Sequence, residues 1–168
     1  LPGLEAFVAR CVETLEATAL RAPGLANWPP STDAASRDKR LVQWCHGAPG
    51  IVTSLARLPV GMSTELDALL LAGGELTWRA GPLAKGAGLC HGTAGNGYAF
   101  LALYQRTGDA VWLERARAFA MHAIVQQEAM HARYGRGRYT LWTGDPGVAV
   151  YLWHCVQGAG GLPGLDVL

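Results

Sequence analysis

The feature that most constrains this chain is a turn that recurs. Gly47-Ala48-Pro49-Gly50, Gly92-Thr93-Ala94-Gly95 and Gly144-Asp145-Pro146-Gly147 share the pattern Gly-x-x-Gly, and each opens an apolar run. Their first glycines lie 45 and 52 residues apart, with amphipathic sequence between them. Periods of that size mark stacked or circular arrays of helical hairpins, because one hairpin cannot bury its apolar face alone. The apolar helices are expected to form an inner ring and the amphipathic helices an outer one. Glycine at the inner starts lets backbones approach, and the N–H groups exposed there suit an anion or a thiolate. The expected fold class is therefore all-α: an α/α toroid of inner and outer helical hairpins. This chain would supply a partial toroid of about three hairpins, as a single domain over residues 1–168. A start at Leu1-Pro2-Gly3, with no initiator Met, fits a piece of a longer ring.

Two of the turns carry chemistry. Trp44-Cys45-His46-Gly47 and Leu89-Cys90-His91-Gly92 each set a thiol beside an imidazole. Cys and His are the ligands zinc prefers, and three protein ligands leave a fourth position for chemistry. The candidate metal ligands are Cys45, Cys90 and His91, and the chemistry they suggest is thiol activation. A free thiol, with a pKa of about 8.5, is only a few per cent thiolate at neutral pH, whereas a metal-bound thiol is deprotonated outright. Two Cys ligands and a neutral His bring the formal charge of a zinc site to about zero, which leaves a substrate thiolate electron-rich. His46 is the candidate acid for the proton that follows thiol attack, or else a group that orients a neighbouring ligand. A closed structural zinc with His46 as fourth ligand is the alternative. Such sites favour short Cys-x-x-Cys knuckles, and here the cysteines lie 45 residues apart.

The composition narrows the classes. The chain is 50% hydrophobic and 16% charged, with a net charge of +1, which argues against disorder and against broad electrostatic binding to nucleic acid or anionic membrane. Cys11, Cys45, Cys90 and Cys155 could pair as two disulfides, but sparse Cys in matched Cys-His motifs points to a reduced, cytoplasmic metal site. No apolar run approaches about 18 residues and no signal pattern is present, so no membrane span is expected. Cys11 and Cys155 fall on apolar faces and are expected as packed core thiols. His122, His131 and His154 are expected to be surface or satisfied histidines, and Trp44 a packing residue.

Periodicity places helices over 4–20, from about Ala48 to Pro59, over 62–79, from the second turn to Thr107, over 110–130, and from Val148 to Val156. Residues 21–40 are expected as an exposed loop of lid or binding character. Residues 131–138 are expected as a basic loop whose Arg133, Arg136 and Arg138 either grip a carboxylate or stay solvated. The glycine-rich tail, 158–168, is expected to be irregular.

The segments from Gln43 to Gly50 and from Gly88 to Phe100 resemble the lanthionine synthetase C-like family. They resemble its eukaryotic-type branch more than the bacterial cyclases, which more often have Tyr where His46 stands. The resemblance runs from about Leu41 to the end, where Leu162-Pro163-Gly164-Leu165 is similar to the family's C-terminus. It implies a toroid of seven inner and seven outer helices with one zinc, Zn2+, held by Cys45, Cys90 and His91. It also implies addition of a thiol to dehydroalanine or dehydrobutyrine in a peptide or protein. The thiol is a peptide Cys in the cyclases and glutathione in the LanC-like branch. Lys85 matches a glutathione-contacting position. Arg133 lies near another, although Tyr134-Gly135-Arg136 departs from the family's Thr-Pro-Asp. Gly144-Asp145-Pro146-Gly147 likewise departs from Gly-Met-Ala-Gly. The cyclases' further acid/base residues belong to an N-terminal half outside this chain, so activity is expected of the full-length parent. The competing reading is a zinc-containing, glutathione-binding regulatory or scaffold protein without turnover. A glycan-processing barrel ranks third, since it needs paired carboxylates and Asp145 is the only acid near the inner helix starts.

Overall fold

The computed structural model describes residues 3–36 and 38–164. Six helices carry the fold: α1 (Leu4–Thr18), α2 (Ala48–Leu55), α3 (Thr64–Ala80), α4 (Thr93–Thr107), α5 (Ala110–Tyr134) and α6 (Asp145–Gln157). The three helices that follow the recurrent turns, α2, α4 and α6, stand side by side as an inner layer. The outer helix α3 packs on both α2 and α4, and α5 on both α4 and α6. This is an arc of an all-α toroid.

Local signals set the boundaries. The Ser63 hydroxyl accepts from the Leu66 amide at 3.3 Å to start α3, and Asp109 accepts from Val111 at 3.0 Å to start α5. Gly108, at φ +72°, closes α4 in a conformation that only glycine takes cheaply. Helix α4 is buried without interruption from Thr93 to Leu103, as its all-round apolar sequence requires. Its Phe100 meets Phe119 of α5 edge-on at 4.9 Å and lies parallel to Trp112 at 6.2 Å. Each large apolar side chain so buried stabilises the fold by about 1.5–3 kcal/mol. Among the described residues no helix is long and apolar enough to cross a membrane.

Three expectations need correcting. The stretch 21–40 is not one exposed loop. It begins in an antiparallel hairpin, β1 (Leu20–Ala22) and β2 (Leu25–Asn27), that turns at Pro23-Gly24 and buries Ala26, Asn27 and Trp28 beside α3. Trp28 is fixed by its indole N–H, which donates to the Leu15 carbonyl at 2.8 Å. Helix α5 runs on to Tyr134, so His131 and Arg133 belong to its last turn rather than to a loop. Cys11 is exposed, because α1 buries only Val12 fully, whereas Cys155 is a core thiol as expected. Of the tail, residues 165–168 lie outside the described residues.

Candidate metal centre

The recurrent turn has a steric reason. A Cβ at Gly50, Gly95 or Gly147 would stand 2.0, 1.7 or 2.0 Å from the carbonyl oxygen of Trp44, Leu89 or Leu141 respectively, each six residues upstream. The incoming chain therefore lies directly on the first turn of each inner helix, and nothing larger than glycine fits. The shared offset also fixes the register. Cys45, Cys90 and Trp142 occupy equivalent places, as do His46, His91 and Thr143. Equivalent backbones are bonded to one another: the Cys45 amide donates to the Cys90 carbonyl at 3.1 Å, and the Cys90 amide to the Trp142 carbonyl at 2.9 Å.

That register brings the two thiols together. The sulfurs of Cys45 and Cys90 and a ring nitrogen of His91 all lie within 4.8 Å of one another. Donors on one tetrahedral zinc, at bond lengths of about 2.0–2.3 Å, are separated by roughly 3.5–3.8 Å, so the group fits a single ion with little adjustment. Both cysteines are half-buried and His91 is exposed. Burial, then the neighbouring Cys90 sulfur, pushes the Cys45 thiol above its ordinary value. His46 is exposed and stands outside this group of donors, so a fourth protein ligand from His46 is not assembled. Its backbone instead closes a small bridge with Gln43.

The neighbours of the donors are polar and connected. The buried Gln43 donates its amide to the Cys45 sulfur at 3.4 Å and accepts from the Lys85 ammonium at 2.9 Å. Asn96 of α4 donates to the Val42 carbonyl at 2.9 Å and so ties the segment before the first motif to α4. Trp44 stacks on Trp142 at 5.2 Å. Helix α2 is started from a distance: Asn27 accepts from the Ala48 amide at 2.8 Å and donates to the Leu41 carbonyl at 3.1 Å.

A cavity of about 540 Å³ opens beside the centre, and His91, Lys85, His131, Arg136, Arg138 and Trp142 are on its wall. Arg133 is not on that wall; its guanidinium lies over the Tyr134 ring at 5.2 Å. His46 is absent from the wall as well. Asp145 accepts from Gln127 at 2.5 Å and from the Arg138 amide at 3.2 Å on one oxygen, and meets the His131 Nε2 at 2.7 Å with the other. Burial would raise the Asp145 carboxyl, but the Arg138 amide and the His131 ring outweigh it and hold the group below its ordinary value. Gln43, Trp142 and the His131–Asp145 pair were not singled out from sequence as parts of the site. The signal for Trp142 is there, since it occupies the Cys place of the third turn.

The chain matches the family model described as lanthionine synthetase C-like protein over residues 5–159. It is 41% identical to LanC-like protein GCL1 of Arabidopsis thaliana over 138 residues, covering 79% of this chain and 31% of that protein. It is 49% identical to Glutathione S-transferase LANCL1 of Danio rerio over 82 residues, covering 48% of this chain and 20% of that protein. The matched stretch thus spans less than a third of the length of either curated relative.

Proposed function

The chain belongs to the lanthionine synthetase C-like family, and on that footing we propose that Cys45, Cys90 and His91 hold one zinc ion. We propose further that the parent protein adds a thiol, glutathione or a peptide Cys, to dehydroalanine or dehydrobutyrine in a peptide or protein. The observation that carries this reading is the set of three soft and borderline donors within 4.8 Å, beside a cavity large enough for a tripeptide-sized ligand. Zinc held there would stabilise a thiolate at neutral pH. The chain's own residues do the rest. The Gln43 amide hydrogen at the Cys45 sulfur favours its ionised form, and Lys85 in turn orients Gln43. Lys85, Arg136 and Arg138 supply cations to the cavity, suited to the two carboxylates of glutathione. Arg133, the second contact implied by resemblance, lies off the cavity wall, and Arg136 and Arg138 are the better-placed guanidinium groups. Ligand thiols must stay reduced, which suits the cytoplasm.

The test is incubation of the full-length, zinc-loaded parent with a dehydroalanine peptide and glutathione. A mass increase of one glutathione is expected, and Cys90→Ala should abolish it. Absence of any adduct from the zinc-loaded wild type overturns the reading. Glutathione bound without product would instead favour a binding protein without turnover, for which the cationic rim of the cavity is the supporting observation.

A further inference from the structure

The recurrent turn keeps its form three times but its sulfur donor only twice. The place held by Cys45 in the first copy and Cys90 in the second is held by Trp142 in the third. Trp142 touches the surroundings of both sulfurs. Its carbonyl accepts from the Leu89 and the Cys90 amides, each at 2.9 Å, so both of its lone pairs are engaged on the second motif. Its indole stacks on Trp44 at 5.2 Å, with the ring planes 27° apart, and Trp44 is the residue before Cys45. Space is kept for this arrangement. A Cβ at Gly88 would stand 3.1 Å from the Trp142 carbonyl oxygen and 3.0 Å from the Thr143 Cα, close enough that the third turn would have to give by a few tenths of an ångström. The Gly88 backbone is not left-handed, so the missing side chain serves room rather than conformation. The tail also reaches the indole: a Cβ at Gly164 would stand 3.8 Å from its Cζ2, two residues after the fully buried Leu162.

We propose that Trp142 is a positioning residue of the candidate metal centre, fixing the separation of the Cys45 and Cys90 sulfurs. Its carbonyl holds the chain at Cys90, and its indole holds the chain just before Cys45. The inference rests on the zinc site proposed above. Two thiolates repel each other, and a tetrahedral ion needs its donors roughly 3.5–3.8 Å apart. A scaffold that presets this spacing removes part of the cost of loading the ion, as preorganisation does in any binding site. Trp142 itself offers the ion nothing, because an indole N–H only donates. The third turn therefore braces the donor set without adding a third sulfur to Cys45, Cys90 and His91. The two contacts are separable by mutation. The carbonyl survives any substitution at position 142, whereas the indole does not.

The experiment uses the full-length parent and compares wild type with Trp142→Ala, Trp142→Phe and Gly88→Ala. The control is Trp78→Ala, which removes an indole packed on Phe100 and Phe119 in the outer layer. Zinc affinity is read by competition with a chelator. Site geometry is read from the charge-transfer and d–d bands of the cobalt-substituted protein, and the fold from urea unfolding of the metal-free protein. Trp142→Ala should weaken zinc binding about 10–100-fold, the loss typical of groups that hold metal ligands in place, and should alter the cobalt bands. Trp142→Phe keeps a ring on Trp44 and should recover most of that affinity. Gly88→Ala should weaken binding through the carbonyl, with the indole intact. Trp78→Ala should lower the urea midpoint yet keep the wild-type zinc affinity and cobalt bands, which is also the signature that a merely structural Trp142 would give. Wild-type affinity and cobalt bands in Trp142→Ala overturn the role while leaving the metal centre standing. Should Trp142→Ala fail to fold, Gly88→Ala decides, and wild-type affinity there overturns the role. A wild type that binds neither zinc nor cobalt removes the metal centre and this role together.

Discussion

Gly97→Ala sets two physical rules against each other. Gly97 lies within α4, and replacing glycine by alanine inside a helix ordinarily stabilises by about 1 kcal/mol. Here a Cβ would stand 1.8 Å from the Tyr151 hydroxyl and 2.3 Å from its Cζ. Tyr151 has no room to retreat. It is completely buried, its hydroxyl donates to the Ala116 carbonyl at 2.7 Å, and its ring meets Tyr98 at 5.1 Å. Overpacking costs about 1–3 kcal/mol, and a stranded buried hydrogen-bonding group about 1–3 kcal/mol more. The propensity gain is the smaller term, so we expect a net destabilisation of about 1–5 kcal/mol. The assay is equilibrium urea unfolding of wild type, Gly97→Ala, Tyr151→Phe and the double variant. Tyr151→Phe removes the hydroxyl that lies closest to the new methyl group. The double variant should therefore be less destabilised than the two single effects added together. A Gly97→Ala protein more stable than wild type by about 1 kcal/mol would refute the reasoning, since it would mean that helix propensity governs the site. The contact also bears on the candidate metal centre, because α4 follows Cys90 and α6 follows Trp142, and the Cys90 amide donates to the Trp142 carbonyl.

Two further outcomes follow from the same contacts. Asn27→Ala removes both the Ala48 and the Leu41 hydrogen bonds and should lower stability by about 1–3 kcal/mol in urea unfolding; an unchanged midpoint would mean that α2 starts without it. The Arg106 guanidinium, nearly buried, hydrogen-bonds Asp67 and holds its carboxyl below the ordinary value of 3.8, against the upward push of burial. Because the folded pKa is the lower one, this contribution is complete above about pH 4 and is lost as pH falls through the folded value. Asp67→Asn should flatten the acid limb of a stability-versus-pH curve, and superimposable limbs would contradict the assignment.

The clustering of Cys45, Cys90 and His91 was legible in the sequence because its cause is local and repeated. A Gly-x-x-Gly turn is written in four residues, and the Cys-His pair precedes it in two copies at one offset. The inner and outer helices were legible for the same reason, through apolar content and period. What escaped was set by distant partners. Asn27 reads as a loop residue until its role 21 positions away, at Ala48, is known. The hairpin at 20–27 is three residues per strand, too short for an alternating pattern to declare itself. His131 was expected as a surface or satisfied histidine and is satisfied, but its partner Asp145 lies 14 residues on and in another helix, so the sequence does not name it. Cys11 was placed in the core on periodicity alone, yet α1 touches the body through a narrow face and leaves it in solvent.

Zinc stoichiometry on the purified chain, joined to X-ray absorption at the zinc edge, tests the central claim most directly. The account predicts one zinc with two sulfur neighbours, one nitrogen and one exchangeable light ligand, lost in Cys90→Ala and kept in Cys155→Ala. Equal zinc in those two variants, or four protein ligands on the ion, would contradict it.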